Sequence, residues 1–421
     1  MRLFPSEPPP GPSRPGFWRS PLRGAWLTSL IGVLLLPGLF VVAATGLISH
    51  AAYQPDLAHN AIVPPGADFQ PFIFPWPTHP AWLYAATQGT HVTVGFTLVP
   101  LVLAKLWSVL PRLFDWPPIR NVGHALERLT LLGVVGGVLF EFATGILNTQ
   151  LYYPFGFGFV RAHYFGAWVV IVSVTLHVVI KIPVIRRAYR LHGVLTPLSR
   201  SLAETLPEAF EPGGLASPDP AEPTISRRGL LGLSAVASGA LFVISAGQSI
   251  GGPLRSLALL APHGTSGDGP NGFQINTSAA TAGIRPEELA NWALELRGPT
   301  PRTMGRSELL ALPQTTDSLP IACVEGWSTT QAWTGIRLRD LAAMAGVPGA
   351  TRLTVTSLQK HGILREVTLT EAEIHDDRSL LALRVNGVDL SLDHGFPARI
   401  IVPALPGVHN TKWVASLEFR T

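Results

Sequence analysis

Asp393-His394-Gly395-Phe396-Pro397-Ala398-Arg399-Ile400-Ile401-Val402-Pro403, with Gly407 and Thr411-Lys412-Trp413 close behind, is the stretch on which the reading of this chain turns. Its short apolar run, Ala398 to Val402, is closed on both sides by Pro, a residue that punctuates strands and turns. Leu353-Thr354-Val355-Thr356 alternates in the same manner. Residues 264–421 therefore read as an α+β, strand-rich globular domain. One helix is expected inside it at Leu338–Ala345, where leucines and alanines recur at helical spacing and Gly346 and Pro348 end the run. We see no internal repeat.

Upstream of this domain the character changes. Only 14% of the 421 residues are charged, against roughly a quarter in soluble proteins. Five apolar segments, about 25–47, 86–109, 126–147, 163–184 and 229–250, reach the roughly 20 helical residues that cross a hydrocarbon layer. The expected architecture is an N-terminal all-α transmembrane four-helix bundle (20–195), a Pro- and Glu-rich cytoplasmic linker (196–228), a fifth anchoring helix (229–250) and the domain at 264–421.

Loop charges set the orientation. Arg2, Arg14, Arg19 and Arg23 precede the first span, whereas the loop from His50 to Gln88 has no Lys or Arg. Lys105, Arg112, Arg120 and Arg128 fall on the same side as the N-terminus, Arg161 stands alone on the other, and Lys181 to Arg228 return to the first. Positive loops stay inside, so a multi-pass protein of the cytoplasmic membrane is expected, with everything after residue 250 on the extracytoplasmic side and lipid around the helices. Ser226-Arg227-Arg228-Gly229-Leu230-Leu231 resembles a twin-arginine export signal, although paired arginines also flank ordinary spans. The basic excess, 31 Lys and Arg against 27 Asp and Glu, lies in these flanks and forms no phosphate-binding face, so no nucleic acid is expected as a partner.

Several membrane histidines carry chemistry. His163 and His177 lie fourteen residues apart on the fourth span, on similar faces and about 21 Å apart along the axis. Two haems stacked across a bilayer need that geometry, and an imidazole in lipid usually marks a function. His91, near the outer end of the second span, is at the depth to oppose His163. Lys105 stands fourteen residues after His91, so a different helix must supply the partner of His177, for which His124 is chosen over the more distal His192. His50, His59 and His79 read as solvated loop residues, with a quinone, haem or zinc role as the alternative. Glu141, inside the third span, would carry protons from a quinol or pair with Arg161.

Residues 20–195 resemble the di-haem cytochrome b subunits of formate dehydrogenases and hydrogenases. That resemblance implies two b haems and exchange of electrons with a quinone or quinol. The first span has no histidine for an inner haem, a departure from the family.

A lone cysteine, Cys323, excludes an internal disulfide framework and sites that need several thiolates. It begins Cys323-Val324-Glu325-Gly326-Trp327-Ser328, followed by Trp333-Thr334-Gly335 and a helix. This resembles the molybdenum-ligating strand-to-helix motif of the sulfite oxidase superfamily, and the stretch quoted at the outset resembles that family's pterin-phosphate segment. The resemblance covers about 265–421 and implies molybdopterin, with Cys323 as the catalytic thiolate on the metal. It implies Arg399 and Lys412 as cations for the pterin phosphate, with Asn410, Thr411, His394 and Ser357 beside them. Asn271, Gln274 and Ile275, in an expected strand Gly272–Asn276, complete the set.

Two departures bear on substrate and assembly. Sulfite oxidases carry arginines shortly after the metal cysteine, where Trp327, Ser328 and Thr329 stand here; the chain also leaves no room for their dimerisation domain. The Cys-Val-Glu-x-Trp-Ser form is similar to the periplasmic methionine sulfoxide reductase catalytic subunit. The expectation is an oxidoreductase that transfers oxygen to or from a small molecule and trades electrons with the quinone pool. Sulfite dehydrogenation is the first alternative, and a non-catalytic electron-transfer or assembly protein the second.

Overall fold

The computed structural model describes residues 5, 7–61, 71–262, 269–362 and 365–421. Five long helices come first: α1 (Ala25–Ala51), α2 (Leu83–Leu113), α3 (Val122–Thr149), α4 (Phe159–His192) and α5 (Arg227–Ile250). Each is long and apolar enough to cross a membrane, which points to a membrane-spanning N-terminal region. All five run past the apolar windows read from sequence, because hydrogen bonding continues into the polar flanks once the helix is nucleated. Ser226 caps α5 by accepting a hydrogen bond from Gly229 N at 3.0 Å. That gives the residue before the paired arginines a local structural role.

Contacts divide the chain into two units. One comprises Met1–Ala43, Val94–Asn148 and Tyr152–Phe242, and the other Ala44–Thr93, Thr149–Leu151 and Val243–Thr421. The second unit takes in the strand-rich domain, the ends of α1 and α2 and the loop joining them.

Its strands are β1 (Ala293–Arg297), β2 (Arg302–Gly305), β3 (Thr315–Ala322), β4 (Ser328–Arg337), β5 (Arg352–Ser357), β6 (Glu366–Thr370), β7 (Leu380–Val385), β8 (Val388–Asp389), β9 (Arg399–Ile401) and β10 (Val414–Arg420). Four short helices sit among them: α6 (Ala279–Ala282), α7 (Arg306–Ala311), α8 (Leu338–Met344) and α9 (Glu371–His375). One sheet has the order β2-β1-β10-β5-β6; the other has β3-β4-β7-β8, with β9 also on β7. Only β1 and β10 run parallel among the named pairs. Leu294, Leu353, Val355, Val367, Leu369 and Leu417 of the first sheet and Leu381, Leu383 and Ile400 of the second are fully buried in one core. Each such side chain contributes roughly 1.5–3 kcal/mol.

The α1–α2 loop is tied to this domain. Asn60 accepts from Thr368 N at 3.0 Å and donates to Thr368 O at 2.7 Å, continuing the hydrogen bonding of edge strand β6. Trp76 Nε1 donates to Ala404 O at 2.7 Å. An edge strand closed in this way offers no free template for another chain.

The α8 helix and strands β5 and β9 form where the sequence places them. The strand expected at Gly272–Asn276 does not. A 3-10 turn covers Pro270–Gly272, and Asn271 and Gly272 both take left-handed conformations, φ 62° and 81°. A strand cannot start from that backbone.

Candidate functional site

Cys323 is buried, 3% exposed, and opens the tight turn that joins β3 to β4. The local frame is thus a hairpin, whereas the sequence suggests strand-to-helix; α8 follows only after β4. The turn closes because Gly326 adopts φ +89°, with Gly326 N donating to Cys323 O and Cys323 N to Trp327 O, both at 3.0 Å. An L-residue resists that conformation.

Successive carbonyls of this turn are capped by helix ends of the same unit. Gln88 of α2 donates to Val324 O at 2.6 Å, Gln248 of α5 donates to Glu325 O at 3.1 Å, and Ser249 donates to Gly326 O. Arg255 donates to Ser328 O at 2.8 Å, and Ser328 Oγ donates back to Ser249 O at 2.9 Å. The missing Gly326 side chain matters as well, since a Cβ there would lie 2.8 Å from Val92 Cβ. Every orphan acceptor of the loop that is matched in this way holds the thiol more firmly.

Near this turn lie two buried cations. Arg399, 2% exposed, donates through its two Nη atoms to His394 O and Asn410 O, both at 3.1 Å. Lys412 Nζ donates to Asn276 Oδ1 at 3.0 Å, Asp393 O at 2.9 Å and Thr277 O. Among the described residues neither cation pairs with a carboxylate. Burial pushes Arg399 down to about 9, and burial followed by the nearby Arg399 charge pushes Lys412 down to about 7. Two uncompensated buried cations favour an anionic group beside them.

The other expected residues are sorted by what they touch. Asn410 Oδ1 accepts from Val402 N at 2.7 Å, which fixes the turn behind β9. Ser357 Oγ donates to Lys412 O at 2.7 Å and so holds the lysine's backbone. His394 stacks on Phe273 at 3.8 Å, with its ring nitrogens facing Asn271 Oδ1 (3.2 Å) and Gln274 O (3.1 Å). Burial lowers His394 to about 4, so its ring is neutral at pH 7. Thr411 Oγ1, Gln274 Oε1 and Arg399 Nε are buried without a hydrogen-bond partner. Such groups suit a polar ligand. Ile275, half-buried, brings only an apolar side chain.

Two neighbours escaped the sequence reading. Asn276 approaches Cys323 Sγ at 3.9 Å through Nδ2 while its Oδ1 holds Lys412, so one amide links thiol and cation. His409 Nδ1 is buried without a partner, between Gly407 and Asn410. Gly407 itself lets the chain pass close, since a Cβ would lie 3.3 Å from Cys323 Sγ. Burial, then Glu325, raises the Cys323 thiol well above its usual value. Without a cation the sulfur is a neutral thiol, and a soft metal would displace its proton.

In the helical unit, His163 Nδ1 lies 2.9 Å from Thr144 Oγ1 and 3.2 Å from Glu141 Oε2. Glu141 thus pairs with His163, where the sequence offered Arg161. His177 lines a largely apolar cavity of about 680 Å3, with Lys105, Glu127, Lys181 and His192 also on its wall, and its Nδ1 is buried without a partner. His124 is absent from that wall. Its Nδ1 accepts from Arg120 N at 3.2 Å and its Nε2 lies 3.5 Å from Asp115. In the other unit, Gly46 makes room for the His91 ring, since a Cβ there would be 2.7 Å from Cε1. His59 pairs with Glu366 at 3.2 Å at the surface, and the exposed His79 lies 3.5 Å from the buried Asp376. No cluster of three or more His, Cys, Asp or Glu poised for a metal ion occurs among the described residues.

Residues 282–421 match the family described as "Oxidoreductase molybdopterin binding domain". The "Uncharacterized oxidoreductase YuiH" of Bacillus subtilis (strain 168) is 30% identical over 139 residues, 32% of this chain and 67% of that protein. "Sulfite oxidase" of Arabidopsis thaliana is 30% identical over 111 residues, which cover 22% of this chain and only 28% of the plant enzyme. Among solved structures, the sulfane dehydrogenase SoxCD of Paracoccus pantotrophus is 26% identical, with a TM-score of 0.28, over 30% of this chain and 38% of that one.

Proposed function

The chain belongs to the molybdopterin-dependent oxidoreductases of the sulfite oxidase type, and on that premise we propose that it is a membrane-bound enzyme of oxygen-atom transfer. In this reading the domain works outside the cytoplasm and exchanges electrons with the quinone pool through b haems held in a four-helix bundle. The observation that carries the catalytic part is the convergence of Cys323 with two buried, unpaired cations, Arg399 and Lys412, the lysine linked to the thiol through Asn276.

The residues present fit the cofactor. Cys323 would hold molybdenum through its sulfur, Arg399 and Lys412 would hold the pterin phosphate, and Thr411 Oγ1 and Gln274 Oε1 would offer their unspent hydrogen-bonding capacity. A molybdenum-pterin group bound there supplies two-electron oxygen-atom chemistry. The chain contributes alignment: the capped turn fixes Cys323, Ser357 and Asn271 fix Lys412 and His394, and Asn410 fixes the β9 end. A neutral His394 adds no charge to the cradle at pH 7.

For the haems, support differs by position. The Nδ1 contacts of His163 with Glu141 and Thr144 are what an iron-ligating imidazole needs on its second nitrogen. His91, over Gly46, is the proposed opposite ligand. His177 faces a cavity of about 680 Å3 that would admit a second haem, but His124 stands off its wall, so the inner ligand pair named from sequence is not assembled there. A haem b would pass single electrons.

Substrate follows from charge. Trp327, Ser328 and Thr329 bring no cation on the loop itself, which favours an S-oxide or N-oxide over sulfite. The test uses intact protein purified in detergent, with haems reduced by dithionite. Oxidation of the haem bands by an S-oxide or N-oxide is the expected result. Haem bands that no such compound oxidises, together with haems that sulfite reduces, would reverse the direction.

A further inference from the structure

The cavity of about 680 Å3 in the helical unit carries several basic side chains on its wall, and they divide into two groups. Lys181 is bonded to Glu127, Arg187 lies 2.8 Å from Glu211, Arg112 lies 3.5 Å from Asp115 and His192 lies 4.0 Å from Glu208. Lys105 and His177 are left. Among the described residues neither meets a carboxylate, and His177 has no hydrogen-bond partner. Lys105 keeps one contact, in which its Nζ donates to Thr28 O of α1 at 2.6 Å. Gly32, one turn further along α1, leaves room for it, since a Cβ there would lie 3.0 Å from that nitrogen.

An ammonium inside an apolar spanning helix is costly without a counter-charge, and a residue kept there at that cost ordinarily has a function. Bonded to a metal as the neutral amine, Lys105 would carry no charge. Coordination releases one proton from the ammonium to solvent, gives the nitrogen lone pair to the metal and leaves two N–H groups, one of which keeps the bond to Thr28 O. A donor held from behind by a backbone carbonyl is oriented as metal-ligating groups commonly are. The spacing along the chain agrees. Lys105 follows His91 by fourteen residues on α2, as His177 follows His163 by fourteen on α4, so each helix offers a second donor about 21 Å along its axis from the first. We propose that Lys105 is the axial ligand opposite His177, so that the cavity holds an inner haem b by one imidazole and one amine. His124, whose ring nitrogens face Arg120 and Asp115, has no part in it. Axial ligands set haem potential, so an outer haem on two imidazoles and an inner haem on unlike ligands would differ along the electron's path. This assignment rests on the reading that the helical bundle holds b haems.

The test reads the ligands directly in the intact protein, purified in detergent with haem and protein measured in parallel. Ferric low-spin haem gives separate near-infrared magnetic circular dichroism bands for imidazole–imidazole and imidazole–amine ligation. Wild-type protein is expected to show both bands, one haem of each kind. Lys105→His should convert the imidazole–amine band into the imidazole–imidazole band and keep the haem content. Lys105→Ala should lose the imidazole–amine band and open that haem to carbon monoxide once reduced; should this protein fail to fold, Lys105→His carries the test. His124→Ala should leave both bands unchanged. A haem-loaded wild type with imidazole–imidazole ligation only, or a Lys105→His protein whose bands match those of wild type, overturns Lys105 as a ligand and leaves the haem reading standing. Folded wild-type protein without haem, from cells able to supply it, overturns the haem reading itself and this assignment with it.

Discussion

In the proposed reading Cys323 carries the chemistry, and the residues around it hold one sulfur still and keep it dry. Its turn is capped at Val324, Glu325, Gly326 and Ser328, and Asn276 ties it to Lys412. Cys323→Ser replaces a soft ligand with a hard one and should abolish turnover, beyond the roughly 10- to 100-fold that loss of an outer-shell partner costs. The proposed haem bands should be unchanged, since their ligands lie on α2 and α4; an active Cys323→Ser enzyme removes the thiolate from the mechanism. A second expectation concerns acid. Burial lowers both His394 and His409 to about 4 from 6.5. The unfolded chain therefore takes up more protons between those values. Their contribution is complete above pH 6.5 and is lost as pH falls toward 4, on the order of several kcal/mol for the pair. Melting temperature of the cofactor-free protein should drop across that window, and less steeply in His409→Asn; identical slopes in the two proteins would contradict this account.

At the scale of elements, much of the pattern was legible. Apolar runs announce α1 to α5, leucine and alanine spacing announces α8, and β-branched runs announce β5 and β9, because in each case one interaction dominates. Where two competed, the sequence misled. Gly272–Asn276 has strand-like composition, yet left-handed Asn271 and Gly272 turn the chain. The cysteine motif suggested strand-to-helix, but Gly326 folds it into a hairpin. His124 has the depth to ligate iron, but Asp115 and Arg120 engage both of its ring nitrogens. Arg255 and the glutamines that cap the Cys323 turn were invisible, since their partners are backbone carbonyls far along the chain. The turn yields a sharp test in Gly326→Ala. It combines φ +89° with a Cβ 2.8 Å from Val92, and should cost on the order of 2 kcal/mol and reduce turnover. Gly251→Ala, with φ +72° but nothing within 4 Å, should cost about half as much and keep turnover. Equal effects of the two would show that contact with Val92 is irrelevant.

For the whole molecule, the consequential feature is that the oxidoreductase domain does not end at its own sheets. Its contact unit takes in the ends of α1 and α2 and the loop between them, through Asn60, Trp76 and Gln88. In the proposed reading, a turn braced by the ends of α2 and α5 suits an enzyme that exchanges electrons through that region. The low charge content and the alternation of loops rich and poor in Lys and Arg agree with a membrane-spanning N-terminal region. The central claim is that a single buried thiol and two unpaired buried cations hold a molybdenum-pterin cofactor. It is tested most directly by metal and pterin analysis of the intact protein, purified in detergent from cells able to make the pterin. Molybdenum and pterin in equal amounts, both lost in Arg399→Ala with Lys412→Ala, are the expected result. Wild-type protein that is folded and contains neither would contradict the account.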